Sequence, residues 1–151
     1  MDHLAIPQQV LIEHQTLAYV ASALRSTVGW KFQGSDLTRK LSSMLFVGQS
    51  FQRHLKRLMA LEEEQGYMST ALASRPELSA EVAELRAEHD YFRTRLARIL
   101  SRIKRASPTD HEGFTRLSGD ILELLEKLDA HSKKETDLLQ EALLQDEGGE
   151  G

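Results

Sequence analysis

Apolar residues recur at intervals of three and four along most of the chain, and breaker residues divide this pattern into four segments. The three prolines, Pro7, Pro76 and Pro108, each lie near the start of a segment, where the first turn of a helix tolerates them. A loop from Gly29 to Asp36 ends with a Ser or Asp that suits a helix N-cap. The pattern predicts helices over about 6–28, 36–72, 76–106 and 109–146.

Each predicted helix carries one apolar stripe, and no alternating β-type pattern competes with these stripes. Long amphipathic helices joined by short connections favour an all-α, up-down-up-down antiparallel four-helix bundle. We therefore predict a single bundle domain over residues 1–146 and a flexible acidic, glycine-containing tail over 147–151.

The composition leaves the predicted fold unchanged and makes several function classes less favourable. The 151 residues carry a net charge of −4 and form no basic patch, which disfavours nucleic acid as a partner. No apolar run reaches the roughly 18 residues of a membrane span. The first residues lack a secretory signal pattern, so a cytoplasmic location is predicted. Cysteine is absent, which excludes disulfides and thiolate ligands within this chain.

Polar residues interrupt all four apolar stripes. They are His14 in the first, Glu62 in the second, His89 in the third, and His131 with Glu135 in the fourth. A buried carboxylate without compensation costs several kcal/mol, so such groups pair, take up a proton or bind metal. In an antiparallel bundle, residues equally far from a turn lie at the same height. Counted from the predicted turns, these polar residues lie at heights that agree within one to two helical turns. The sequence thus favours one shared polar site.

The two halves of the chain repeat this arrangement. His14 precedes Glu62 by 48 positions and His89 precedes Glu135 by 46, and completing the repeat would place a histidine at position 58, where the sequence has Leu58. A histidine and a glutamate four residues apart, as at 131 and 135, share one helix face and can ligate one metal. Imidazole with carboxylate suits iron, zinc or manganese, and a bridging carboxylate suits a dinuclear centre.

The motifs around these residues resemble the hemerythrin-like, His-His-Glu cation-binding family over nearly the whole chain. The segments that carry the resemblance are Ile12-Glu13-His14, Ala60-Leu61-Glu62-Glu63-Glu64-Gln65-Gly66-Tyr67, Ala87-Glu88-His89-Asp90 and His131-Ser132-Lys133-Lys134-Glu135.

The resemblance implies a non-haem iron centre with two bridging carboxylates. By this resemblance Glu62 and Glu135 would bridge, His89 and His131 would serve one iron, and His14 the other. Members of the family are implicated in O₂ binding, in sensing of O₂ or redox state, in nitric oxide and peroxide responses, and in iron handling. The implied ligand is a small diatomic molecule or peroxide, and no protein partner is indicated.

The chain departs from the family pattern at two positions. Leu58 stands where the family has a second histidine for the His14 iron, and Arg93 replaces a histidine of the O₂-carrying members. Three interpretations stay open: a di-iron or mono-iron site with one incomplete position, a site completed by His54 from the preceding turn, or a metal-free bundle. Glu63 borders the site, as a peripheral ligand or as part of a solvated face.

Three function classes follow from these alternatives. The first is a metal-binding bundle that binds or senses a small ligand. The second is an interaction or structural protein on a degenerate, metal-free bundle. The third is a di-iron enzyme of the ferritin type, but that class uses Glu-x-x-His on two helices, and this chain has the opposite order. Since no nucleophile arrangement or phosphate loop appears either, the sequence favours a non-enzyme.

Overall fold

The computed structural model describes residues 8–31, 34–64, 68, 71, 73 and 75–148, with side chains up to 142. Within this part of the chain helices and their connections make up the whole structure, without strands, which confirms the all-α prediction. The elements are α1 (Gln8–Gly29), α2 (Thr38–Glu64), a 3₁₀ turn (Pro76–Leu78), α3 (Ser79–Arg105) and α4 (His111–Gly148).

The helix ends lie within two residues of the predicted ones where the structure describes both, apart from the start of α3, which follows a 3₁₀ turn. A 3₁₀ turn at Pro76–Leu78 precedes the third helix. The fourth helix continues to Gly148, two residues into the predicted tail. The rest of that tail, 149–151, lies outside the described residues. Most of the predicted end of the second helix, 65–72, also lies outside them. No helix in the described ranges is long and apolar enough to cross a membrane.

Consecutive helices pack against one another, and α1 also meets α4, which closes the four-helix bundle. The connection from α1 to α2 turns at Gly34, whose φ of 133° favours glycine. Asp36, just before α2, caps the start of this helix: its carboxylate accepts a hydrogen bond from the Thr38 backbone N–H at 2.8 Å. The buried Lys40 donates from Nζ to the Trp30 carbonyl, so the end of α1 is satisfied by a side chain of α2.

The two connections at this end of the bundle are joined by hydrogen bonds. The Leu37 N–H donates to the Pro108 carbonyl at 2.9 Å, and His111 Nε2 lies 2.8 Å from the Ser35 carbonyl oxygen. At the start of α4, the Gly113 N–H donates to the Asp110 carboxylate at 2.9 Å, as an N-cap does. These contacts fix the relative height of the two helical hairpins, and with it the level of residues farther along α2 and α4.

The buried apolar residues form two clusters. The larger cluster extends from Leu37, in the connection between α1 and α2, to Leu58, Met59, Phe92 and Leu128. The smaller one consists of Met68, Leu78, Val82, Leu85, Leu138 and Ala142. On α3 and α4 the polar residues His89, His131 and Glu135 fall between the two clusters in sequence. A polar layer therefore separates two apolar regions of the core, in a position where burial demands that its groups be satisfied.

Candidate metal centre

The structure brings the five predicted site residues together in this polar layer. Four of them, Glu62, His89, His131 and Glu135, are almost fully buried. His14 is the most accessible of the five, with 35% of its side chain exposed. On α2, α3 and α4 the site residues lie in the buried stripe of the helix, whereas on α1 Glu13 takes the buried position and His14 lies beside it.

Two groups of three possible ligands lie within this layer. In the first, His89, His131 and Glu135 are all buried, and one atom from each lies within 4.8 Å of the others. His131 Nε2 is 2.5 Å from Glu135 Oε1, across one turn of α4. This group offers two imidazoles and one carboxylate, a ligand set that suits a divalent transition metal.

The second group contains His14, Glu62 and Glu135, and again one possible ligand atom of each residue lies within 4.8 Å of the others. His14 Nε2 lies 3.4 Å from Glu62 Oε2 and 3.9 Å from Glu135 Oε2. This group has one imidazole and two carboxylates, and it shares Glu135 with the first group. The two groups are thus adjacent and not independent.

Each buried carboxylate divides its two oxygen atoms between the two groups. Glu135 presents Oε1 to His131 and Oε2 to His14. Glu62 presents Oε1 to His89 at 3.6 Å and Oε2 to His14 at 3.4 Å. Each carboxylate therefore directs one oxygen toward His14 and the other toward a buried histidine. This is the orientation needed to bridge two cations.

The histidine atoms themselves fit a bound cation. The Nε2 atoms of His89 and His131 are buried and make no well-oriented hydrogen bond with any residue in the described part of the chain. Buried polar groups are normally satisfied, so such atoms are candidates for coordination to a metal. The residues present therefore fit a metal centre of the kind that imidazole and carboxylate ligands form.

The histidines differ in their protonation. Burial lowers the pKa of His14, against the opposing effect of Glu135, and burial together with His131 lowers the pKa of His89. Burial also acts on His131, but the carboxylates of Glu135 and Glu88 outweigh it and raise its pKa. The lowered pKa values favour the neutral, ligating form of His14 and His89, whereas the raised pKa of His131 makes metal binding there compete more strongly with a proton.

Glu135 is held in its charged form. Burial alone would raise its pKa, but its interactions with Glu62 and His131 lower the pKa to about 2. A carboxylate that stays ionised at neutral pH inside the bundle supplies the negative charge that a cation requires.

Leu58 lies at the edge of this layer. It is 3% exposed and, one turn before Glu62, lines a cavity of about 10 Å³. Such a space holds about one water molecule. Leucine can neither ligate nor hydrogen-bond, so position 58 contributes only hydrocarbon to the centre. The residues that line the cavity are Leu17, Leu55, Leu58, Met59, Glu62, His89, Phe92, Leu128, His131, Ser132 and Glu135.

The two peripheral candidates lie outside both three-ligand groups. His54 Nδ1 is 3.3 Å from the Glu13 carboxylate, on the side of α2 that faces α1. Glu63 contacts His89 Nδ1 at 3.4 Å and forms two hydrogen bonds with Arg93, of 2.6 and 2.8 Å. In this arrangement both side chains already have partners other than a metal.

Sequence reasoning missed two carboxylates that border the site. Glu88 Oε1 lies 2.7 Å from His131 Nδ1, and the mostly buried Glu13 pairs with His54 and Arg57. Glu88 directly precedes His89 in the sequence, but its partner is a histidine of a different helix. No periodicity in a single chain indicates such a contact, because it depends on the register of α3 against α4.

A four-helix bundle with a buried layer of histidines and glutamates defines the class of metal-binding helical bundles. The chain belongs to the Hemerythrin family, described as the Hemerythrin HHE cation binding domain, which matches residues 7–143. The resemblance expected from the sequence is thereby confirmed, and family membership indicates a cation-binding protein. Comparison with curated proteins and with solved structures gives no match.

Proposed function

We propose that this chain is a non-haem iron protein that binds or senses O₂, nitric oxide or peroxide, or handles iron. The observation that carries the proposal is the division of the carboxylate oxygens of Glu62 and Glu135 between the two histidine sides. Iron held there would supply redox chemistry and a coordination position for a small ligand. The protein would supply a buried layer with two carboxylates between two apolar clusters.

The size and lining of the cavity support a small ligand over a larger substrate. Its volume of about 10 Å³ and its mostly apolar wall leave no space for an organic molecule in this conformation. The non-enzymatic role, the cytoplasmic location and the lack of a nucleic-acid or membrane partner stay predictions from the sequence.

Iron loading tests the proposal directly. The protein is incubated anaerobically with Fe(II), desalted, and assayed for iron per chain and for near-ultraviolet absorption after exposure to air. About two irons with new absorption bands are expected for the parent, and loss of iron is expected for Glu135→Ala, which removes a ligand common to both groups. Glu64→Ala is the matched control, because Glu64 is an exposed acid of the same α2 run.

The stoichiometry distinguishes the interpretations left open by the sequence. About one iron per chain would indicate a single centre at His89, His131 and Glu135. Parallel loading with Zn²⁺ and Mn²⁺ tests the identity of the metal, since the same ligand types accept all three ions.

A degenerate, metal-free bundle is the second candidate function, and the buried Leu58 favours it. In that case the protein retains no iron, and its unfolding temperature is the same with and without a chelator. That result, obtained with a folded protein, would contradict the iron proposal and direct attention to the surface as an interaction site.

A further inference from the structure

A carboxylate lies behind His131, on the side of the ring away from the centre. Glu88 Oε1 is 2.7 Å from His131 Nδ1, and Glu88 Oε2 accepts a hydrogen bond from Lys134 Nζ at 2.6 Å. Lys134 also donates to Glu84 at 2.9 Å. The contacts therefore form a series from the buried histidine to the surface, in which Glu88 alone touches both the ring and the lysine.

An equivalent series lies behind His89. Its Nδ1 atom is 3.4 Å from Glu63 Oε1, and Arg93 binds both oxygens of Glu63 at 2.6 and 2.8 Å. Arg93 also donates to Asp90 at 3.0 Å. Each of the two buried histidines is thus followed by a carboxylate, a cation and a second, exposed acid.

This arrangement has a specific consequence for the imidazole rings. At His131 the Glu88 carboxylate accepts the N–H of Nδ1, which leaves the lone pair of Nε2 for a ligand. At His89 the Glu63 carboxylate faces Nδ1 at 3.4 Å without a well-oriented hydrogen bond. The Nε2 atoms of His89 and His131 are the ones buried toward Glu62 and Glu135. Lys134 and Arg93 in turn pair with these carboxylates on the surface side.

His14 has different surroundings. Its contacts recorded within the described residues are those of Nε2 with Glu62 and Glu135, and about a third of its side chain is exposed. No carboxylate is found at its Nδ1 atom in the ranges that the structure describes. The ring of His14 is therefore less restrained than the rings of the two buried histidines.

From these contacts we infer that Glu88 and Glu63 are positioning residues, which make the metal position at His89, His131 and Glu135 the tighter of the two. The inference rests on the proposed function, since it requires that a metal binds. Hydrogen bonds to the outer nitrogen of a ligating histidine fix its tautomer and orientation, and their loss weakens metal binding by about 10- to 100-fold.

The structure offers matched control residues for the test. Glu84 and Glu88 both pair with Lys134, but of these two only Glu88 contacts a site histidine. Asp90 stands in the same relation to Glu63 through Arg93. Fe(II) affinity is measured anaerobically by competition with a chromophoric chelator, together with the unfolding temperature of the metal-free protein.

Glu88→Ala is expected to weaken the tighter Fe(II) binding step by about 10- to 100-fold. Glu88→Gln should recover part of the affinity, because the amide oxygen still accepts from Nδ1–H, and it keeps the shape of the side chain if the alanine variant folds poorly. Glu84→Ala should bind iron as the parent does. The pair Glu63→Ala and Asp90→Ala should show a difference in the same direction but smaller, because Glu63 Oε1 lies 3.4 Å from His89 Nδ1.

Equal affinities for Glu88→Ala, Glu84→Ala and the parent would overturn the inference and leave the iron proposal intact. Equal losses in Glu88→Ala and Glu84→Ala would also overturn it, because they would assign the effect to the surface pairing of Lys134. A parent protein that binds no iron would instead remove the proposed function, and the inference with it. A loss confined to the Glu88 and Glu63 variants, with partial recovery in Glu88→Gln, supports the inference.

Discussion

Substitution of Leu58 by histidine tests whether position 58 faces the metal centre. The side chain is 3% exposed and lines the same small cavity as Glu62, His89 and Glu135. A histidine there would stand four residues before Glu62, on the same face of α2, as His131 stands before Glu135. The variant would then offer the His14 side of the centre a second imidazole.

The metal-free variant should be less stable than the parent. Removal of a buried leucine side chain costs about 2 kcal/mol of apolar burial. Burial of an imidazole without a partner adds about 1–3 kcal/mol. Because 1 kcal/mol changes the unfolding temperature of a domain of this size by about 2–4 °C, we expect a decrease of about 10 °C.

Iron should reverse this loss. A ligand that binds the folded state stabilises it by RT ln(1 + [L]/Kd), so each tenfold gain in affinity adds about 1.4 kcal/mol at a fixed saturating concentration. The rise in unfolding temperature on addition of Fe(II) should therefore be larger for Leu58→His than for the parent, by about 4 °C for every tenfold gain.

Thermal unfolding monitored by circular dichroism, with and without anaerobic Fe(II), measures both effects. Leu24→His is the matched control, because Leu24 is equally buried but lies ten residues, or about 15 Å, along α1 from His14. It should lose stability in the metal-free state, and iron should raise its unfolding temperature only by as much as it raises that of the parent. If iron stabilises Leu58→His no more than the parent, the assignment of position 58 to the centre is refuted.

Two further pairs of variants separate metal binding from fold stability. His14→Ala should lower the iron content from about two per chain to about one. His54→Ala should leave it unchanged, because the His54 ring pairs with Glu13 outside the centre. Metal analysis after desalting measures the iron content of both variants. Gly119→Ala should raise the unfolding temperature by about 2–4 °C, because the helical site is open and alanine is favoured there by about 1 kcal/mol. Gly48→Ala should lower it, since the added Cβ would lie 2.8 Å from a leucine methyl of α3; an increase would show that this contact relaxes easily.

The fold and the membership of the polar layer could be predicted because both depend on local spacing. Apolar residues at helical intervals predict each helix, and the breakers at Pro76 and Pro108 predict where the connections lie. The buried histidines and glutamates stood out because they interrupt stripes that are otherwise hydrocarbon. In an antiparallel bundle, distance from the turn then determines which levels meet.

The residues around the layer could not be predicted in the same way. Glu88 has charged neighbours and reads as part of a solvated surface, and Glu63 is predicted only to border the site. Their contacts with His131 and His89 depend on the exact register between helices. Glu13 is mostly buried while the adjacent His14 is partly exposed, although the two are only 100° apart around α1. A rotation of that size is below what an apolar pattern in one sequence resolves.

The close packing around the centre also has a kinetic consequence. A cavity of about 10 Å³ admits no chelating molecule, and of the five site residues His14 is the most open to solvent. Release of a bound ion would therefore wait for a local opening of the bundle near α1. At high chelator concentration the rate of ion removal should become independent of that concentration and equal the rate of local opening. The lifetime of the bound ion would then measure how often the bundle opens near α1.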